Sequence, residues 1–297
     1  MNSFFWHADC TEALCNFYNN GGSTVATEQN MTERPLAVVT GASSGIGYEL
    51  AKQFAMNGYN LLICAEDPGI VEAAQVFKSF GVNVESMQVD LRKYNNVENF
   101  YDKISQSGPV EALALNAGVG ISGSFTEETE LDEELSLIDL NIKSVVHLAK
   151  RVAKDMVAQG HGRILITSSI AAILPGPFLA VYAASKAFVE SFGQAIRNEL
   201  KDSGVSVTTL LPGPTETNFF DRANMQDTKA GAESKDDPAK VAEQGFEALM
   251  AGKDHVVAGS FMNKVQGVIG KLMPDSVAAA MHRRESEPGS ANSQEKL

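Results

Sequence analysis

Seven short strand-like runs, at 36–40, 60–65, 82–89, 110–116, 163–168, 205–211 and 255–258, recur along the chain with helix-like runs between them. Runs of this length bounded by turn signals read as buried strands. Strands that alternate with helices pair in parallel and carry helices on both faces. The 297 residues hold no repeat beyond this alternation, so one α/β domain spanning about 35–282 is predicted. In open sheets of this kind, ligands bind at the carboxyl ends of the strands. The chemically unusual residues of this chain fall there or in the helix that follows.

The first run, Leu36-Ala37-Val38-Val39, leads into Thr40-Gly41-Ala42-Ser43-Ser44-Gly45-Ile46-Gly47 and then into a helical stretch beginning at Tyr48. Glycines permit positive φ and close approach of the backbone, and a helix N-terminus offers free N–H groups to a pyrophosphate. A second cluster is Tyr182-Ala183-Ala184-Ser185-Lys186, with Ser169 thirteen residues upstream of the tyrosine. Residues four apart share a helical face, so the Lys186 ammonium can sit beside the Tyr182 phenol. A free phenol titrates near ~10, and a neighbouring cation is expected to bring it down toward the working range. Such a tyrosine can exchange a proton with an alcohol or carbonyl oxygen, and Ser169 can hold the same oxygen. Ser168 is one residue short of that spacing.

Asn141 adjoins a predicted buried helical stripe formed by Leu131, Leu135, Ile138, Ile142, Val145, Ala149, Val152 and Met156. A buried asparagine commonly does no more than satisfy backbone groups, and that reading stands beside a catalytic one.

Taken together, Thr40-Gly41-x-x-x-Gly45-x-Gly47, Asp90-Leu91, Asn116-Ala117-Gly118, Asn141, Ser169, Tyr182-x-x-x-Lys186 and Pro212-Gly213-Pro214-Thr215-Glu216-Thr217 resemble, in order, the short-chain dehydrogenase/reductase family. The resemblance covers 36 to about 217. It implies a Rossmann-like, doubly wound seven-stranded parallel sheet and an oxidoreductase that interconverts an alcohol and a carbonyl. Tyr182 would be the general acid/base, and Lys186 would lower its pKa and bind the nicotinamide ribose. Ser169 would polarise the substrate oxygen, and Asn141 would distort its helix and hold a proton-relaying water. The implied dinucleotide site comprises Gly41, Ser43, Ser44, Gly45, Ile46, Gly47, Glu66, Asp90, Leu91, Asn116, Ala117, Gly118, Tyr182, Lys186, Pro212, Gly213, Thr215 and Thr217. Leu115 replaces an asparagine common in the family, and Ala172 a common glycine. The resemblance also implies a homodimer or homotetramer built on the helices bearing Asn141 and Tyr182.

Glu66 stands nineteen residues after Gly47. A carboxylate near this distance can bind a free ribose diol, whereas an arginine accommodates the 2′-phosphate of NADP. The family's NAD-type aspartate is absent at Ala65, and an acid takes the place of its NADP-type arginine, so NAD is favoured over NADP. Asp90 resembles the aspartate that contacts the adenine amine.

Net charge is −13, which argues against a nucleic-acid partner, since basic patches supply most of that affinity. The three cysteines have no metal-type spacing and fit a reducing, cytoplasmic setting. No apolar stretch reaches the ~18–20 residues of a membrane span. Residues 1–34 read as a weakly ordered extension and 283–297 as a disordered tail. The polar segment at about 214–240 reads as a lid, with Phe219-Phe220 either a pocket wall or a contact to the body. The amphipathic stretch from Phe261 to Met273 suits a pocket wall, a subunit contact or a membrane surface. A dinucleotide-sensing protein without turnover is the alternative function, and the complete Asn141, Ser169, Tyr182, Lys186 set weighs against it. A reductase of acyl-carrier-linked carbonyls would call for a basic patch by the pocket, which the sequence does not offer.

Overall fold

The computed structural model describes residues 34–259 and 274–291. The expected N-terminal extension, except for its last residue, and the stretch from Phe261 to Met273 lie outside them. Every predicted run forms a strand: β1 (Leu36–Thr40), β2 (Asn60–Ala65), β3 (Val84–Gln88), β4 (Val110–Leu115), β5 (Gly162–Thr167), β6 (Val205–Pro212) and β7 (His255–Ala258). They form one sheet in the order β3-β2-β1-β4-β5-β6-β7, and all neighbours are parallel. The described helices are α1 (Gly45–Met56), α2 (Gly69–Lys78), α3 (Tyr94–Gln106), α4 (Leu131–Ile138), α5 (Ser144–Gln159), α6 (Ala180–Glu199), α7 (Phe219–Arg222), α8 (Lys229–Ala232), α9 (Pro238–Met250) and α10 (Asp275–Ser286).

Successive strand side chains point to opposite faces, and both faces are apolar here. Ala37 and Val39 join Phe54, Phe77 and Phe246 in a core under α1, α2 and α9. Leu36 and Val38 join Phe100, Leu148 and Val189 under α3, α5 and α6. Full burial of each such large side chain contributes about 1.5–3 kcal/mol. Double-sided burial explains why inner strands such as β1 and β2 read as continuous apolar runs, whereas the edge strand β3, with Glu85, Ser86 and Gln88, does not.

Strand order reverses between β1 and β4, which opens a crevice at their carboxyl ends. Asn116 fastens this point. Its amide nitrogen donates to the carbonyls of Thr40 and Gly41, at 3.4 Å each, and its Oδ1 accepts from Thr167 Oγ1 at 3.2 Å. Thr40 Oγ1 in turn accepts from the N–H groups of Asn116 and Ala117, both at 3.0 Å.

The stripe predicted over 131–156 holds from Val145 onward, where Val145, Ala149, Val152 and Met156 are buried. Before that it fails, for Leu131 and Leu135 are exposed. A π-helical turn at Asp139–Lys143 separates α4 from α5. The wider turn rotates the buried face, so one helical period cannot describe both halves.

The expected tail from Arg283 also differs from the structure. Arg283 to Ser286 continue α10, and the N–H groups of Gly289 and Ala291 donate to Asp227 Oδ2 and Asp227 O, both at 3.0 Å. Lys229 also ion-pairs with Glu285 at 2.8 Å. Polar composition alone suggested disorder, but these polar groups find fixed partners on the segment after β6.

Candidate active site

The carboxyl ends of the strands open into a cavity of about 830 Å³, which reaches from the glycine turn to Tyr182 and on to α10. At one end, Gly41 and Gly45 have φ of 67° and 58°, a region that disfavours other residues. The Gly41 and Ala42 N–H groups donate to Cys64 O, at 2.8 and 3.2 Å, which ties the turn to β2. Ser44 caps α1 without a side-chain hydrogen bond, so the first N–H groups of the helix stay available at the cavity wall formed by Ser43, Ser44, Gly45 and Ile46. Glu66, Asp90, Leu91, Asn116, Ala117 and Gly118 also line the cavity, as do Pro212, Gly213, Thr215 and Thr217.

Gly47 was expected in the dinucleotide site, but it is buried and off the cavity wall. A Cβ there would lie 2.1 Å from Gly41 O and 2.4 Å from Asn116 Nδ2. Its missing side chain lets α1 pack against the turn. The remaining glycines keep the wall open in the same way: a Cβ on Gly118 would approach Lys186 Nζ at 3.3 Å, and one on Gly120 would strike Phe219 at 2.4 Å. A phosphate-bearing dinucleotide fits this chemistry of bare backbone, unspent helix N–H groups and small residues.

At the other end of the cavity, α6 carries Tyr182 and Lys186, both buried. Lys186 Nζ donates to Thr167 O at 3.0 Å and lies 5.9 Å from the centroid of the Tyr182 ring. Burial pushes the Tyr182 phenol up to about 12, with a hydrogen bond from Ser169 working in the opposite sense. Burial likewise pushes Lys186 down to about 8. This corrects the expectation that the lysine draws the phenol toward neutrality: desolvation is the larger influence in the protein alone.

Ser169 caps a 3₁₀ turn at Ile170–Ala172, its Oγ accepting from Ala171 N–H at 3.1 Å, and it lines the cavity. The adjacent Ser168 has a different task, donating from Oγ to Lys186 O at 2.9 Å and so tying β5 to α6. Asn141 lies in the π turn, off the cavity wall. Its Nδ2 donates to Val119 O at 2.9 Å and Ser185 Oγ at 3.1 Å, and its Oδ1 accepts from Val119 N–H at 3.0 Å. The helix is distorted at Asn141, and its side chain satisfies the Val119 backbone on both its N–H and its carbonyl.

Two residues at the site were not singled out in the sequence. Asp67 accepts from Ser43 Oγ at 2.6 Å and from Gly69 N–H at 3.0 Å. Arg92 forms an ion pair with Glu66 and a second, at 3.1 Å, with Asp90. Each directly follows a residue of the predicted set, but pairing between the ends of β2 and β3 depends on the sheet. Of the two aromatic residues after β6, Phe219 meets the Tyr182 ring at a centroid distance of 5.1 Å. Phe220 packs with Leu137, Leu179 and Met225. Both line the cavity, so pocket wall and body contact describe the same residues.

A family model described as short chain dehydrogenase matches residues 35–228. Over 219 residues the chain is 33% identical to an uncharacterized oxidoreductase of Staphylococcus saprophyticus, covering 72% of this chain and 90% of that one. Among solved structures, a short-chain dehydrogenase from Sphingobium yanoikuyae in complex with NADPH has a TM-score of 0.71 at 28% identity, covering 75% of this chain and 87% of the other. A 3-ketoacyl-(acyl-carrier-protein) reductase from Brucella melitensis complexed with NADH has a TM-score of 0.68 at 25% identity, covering 76% and 97%. With its parallel sheet, glycine turn and this set of relatives, the chain belongs to the short-chain dehydrogenase/reductase family and is an NAD(P)-dependent oxidoreductase.

Proposed function

We propose that this enzyme interconverts an alcohol and a carbonyl, with Tyr182 exchanging the proton at the substrate oxygen. The observation that carries the reading is the placement of Tyr182, Ser169 and Lys186 on one cavity that also holds the glycine turn. Glycine-turn residues Gly41 to Ile46, with Asn116 to Gly118, Thr215 and Thr217, would hold the dinucleotide, which when bound supplies or accepts the hydride. Ser169 fixes the substrate oxygen, and Tyr182 gives it a proton as the carbonyl becomes an alcohol. Lys186, fastened by Thr167 O, keeps a positive charge near the phenol and favours the phenolate left behind. Asn141 acts at one remove, holding the Val119 backbone and Ser185 beside that lysine. Phe219 and Phe220 shield this end from water. A sensor without turnover would leave the buried Tyr182 and Lys186 without a use.

The titration of these groups gives a pH dependence with a definite sign. Reduction needs a protonated Tyr182, and a phenol raised to about 12 stays protonated through neutral and mildly alkaline solution. Lys186, lowered to about 8, is charged below that pH and loses its charge above it. Initial rates of carbonyl reduction are expected to fall as pH rises through about 8, while alcohol oxidation, which needs the phenolate, climbs toward alkaline pH. Parallel profiles in the two directions would contradict this assignment.

NAD is the proposed cofactor. The glycine turn brings no cation to the adenosine end, and the nearby Arg92 is engaged by Glu66 and Asp90. Glu66→Gln removes the repulsion toward a 2′-phosphate and leaves Arg92 paired with Asp90 alone. It is expected to raise kcat/KM for NADPH relative to NADH by roughly fivefold, the scale of one partly exposed charge interaction. Fluorescence titrations with NADH and NADPH check the wild-type preference, and tighter NADPH binding would reverse the choice.

A homodimer or homotetramer in the cytoplasm is part of the same proposal. The exposed apolar Leu135 on α4 and Phe188 on α6 support contact through these helices. Among the described residues no helix is long and apolar enough to cross a membrane.

A further inference from the structure

Resting on the reading that this cavity takes an alcohol or carbonyl, we propose that Ser286 recognises a neutral hydrogen-bonding group, such as a hydroxyl, carried by the substrate away from its reacting oxygen. Ser286 is 1% exposed, lines the same cavity as Tyr182, and its hydroxyl has no hydrogen-bond partner among the described residues. Leaving a buried hydroxyl unpaired costs about 1–3 kcal/mol, and buried polar groups in folded proteins nearly always find a partner. An easy internal partner was available in principle, since serines at helix ends commonly bond a carbonyl of the preceding turn. Ser79 and Ser107 do so here, donating to Val76 O at 2.6 Å and Lys103 O at 2.9 Å. Ser286, at the end of α10, makes no such bond.

The end of α10 that carries Ser286 is held in place by its neighbours' contacts on two sides. Toward the segment after β6, Glu285 pairs with Lys229 at 2.8 Å and Ser290 Oγ accepts from Lys229 N–H at 2.9 Å. Toward the turn before α6, His282 Nδ1 donates to Pro175 O at 3.0 Å, and the Arg283 guanidinium lies 4.9 Å from the Phe178 ring centroid. A polar group positioned in advance adds recognition at little ordering cost.

The surroundings define the class of ligand. Leu174, Leu179, Phe220, Met225 and Met281 share the wall, so the body of the substrate is apolar. Glu285 and Glu233 also line the cavity, each paired with Lys229, and Arg222 and Lys235 line it as well, so neither sign of charge prevails and a neutral group suits the place beside Ser286. The inferred substrate is an apolar ketone, or its alcohol, bearing a remote hydroxyl. A site built to hydrogen-bond a hydroxyl discriminates strongly against the analogue lacking it.

The test uses the full chain with its preferred nicotinamide dinucleotide and a series of methyl ketones of increasing chain length. Each is paired with its ω-hydroxy and ω-carboxy counterpart. Wild type is expected to prefer the ω-hydroxy ketone by about tenfold in kcat/KM at a matching length, the scale of one net hydrogen bond. Ser286→Ala should erase that preference, leave the plain ketones unchanged, and keep Tm the same or slightly higher, because the hydroxyl has no partner among the described residues. A preference that survives Ser286→Ala, no preference at any length, a preference for the carboxylates, or a clear fall in Tm overturns the inference. If wild type binds dinucleotide but reduces no ketone of any series, the proposed activity itself fails, an outcome distinct from turnover without selectivity.

Discussion

Replacing Tyr182 by phenylalanine is expected to lower kcat about 10³-fold, within the range for loss of a positioned general acid, while dinucleotide affinity stays within about twofold. The separation follows from what the phenol oxygen does and does not touch. The ring is buried and meets Phe219 at a centroid distance of 5.1 Å, contacts that phenylalanine preserves. Lys186 keeps its bond to Thr167 O, and Ser169 keeps the one from Ala171 N–H. What the variant loses is the phenol's hydrogen bond with Ser169 and the proton donor at the substrate oxygen, neither of which touches the glycine turn. Steady-state rates and fluorescence titration of the same preparation check both halves. Turnover above a tenth of wild type would remove Tyr182 from the chemistry.

Gly47→Ala is expected to act on the fold and on dinucleotide binding together. The new Cβ would sit 2.1 Å from Gly41 O, 2.4 Å from Asn116 Nδ2 and 2.8 Å from Gly41 C. Two of these are backbone atoms of the turn, and the third belongs to the residue that fastens β1, β4 and β5. None can move without spoiling the cradle. Overpacking of this kind costs about 3 kcal/mol, which lowers Tm by about 10 °C in a domain of this size. Dinucleotide affinity should fall with it. Gly58→Ala is the control: its φ is +82° and no atom lies within 4 Å of the added Cβ, so it carries only backbone strain of about 1–2 kcal/mol. Thermal melts of both variants decide the point, and a Gly47→Ala protein no less stable than Gly58→Ala would contradict this account of the turn.

The sheet was legible in the sequence because its inner strands are buried on both faces, so strands such as β1 and β2 had to be nearly unbroken apolar runs with a turn at the end. Val38, packed into one core while Val39 packs into the other, illustrates this directly. The glycine turn was legible as well, since a backbone that approaches its neighbours so closely admits few other residues. Gly47 shows the limit of that reading: spacing marks a glycine as required without saying whether ligand or packing requires it. The same limit applies to Tyr182. Its four-residue spacing to Lys186 was readable, but the depth of burial that raises its pKa was not. Arg92 and Asp67 escaped notice because their partners are brought near by strand pairing. Ser286 belongs to a polar segment whose composition gives no sign that Asp227 and Lys229 hold it in place.

The most direct measurement is transfer of deuterium from 4,4-dideuterated NADH to a ketone, followed by mass spectrometry of the alcohol, for wild type and Tyr182→Phe side by side. The account predicts one deuterium at the carbinol carbon from wild type and almost none from the variant, although the variant still binds NADH. Undiminished label transfer by Tyr182→Phe, or alcohol formed by wild type without label at that carbon, would contradict it.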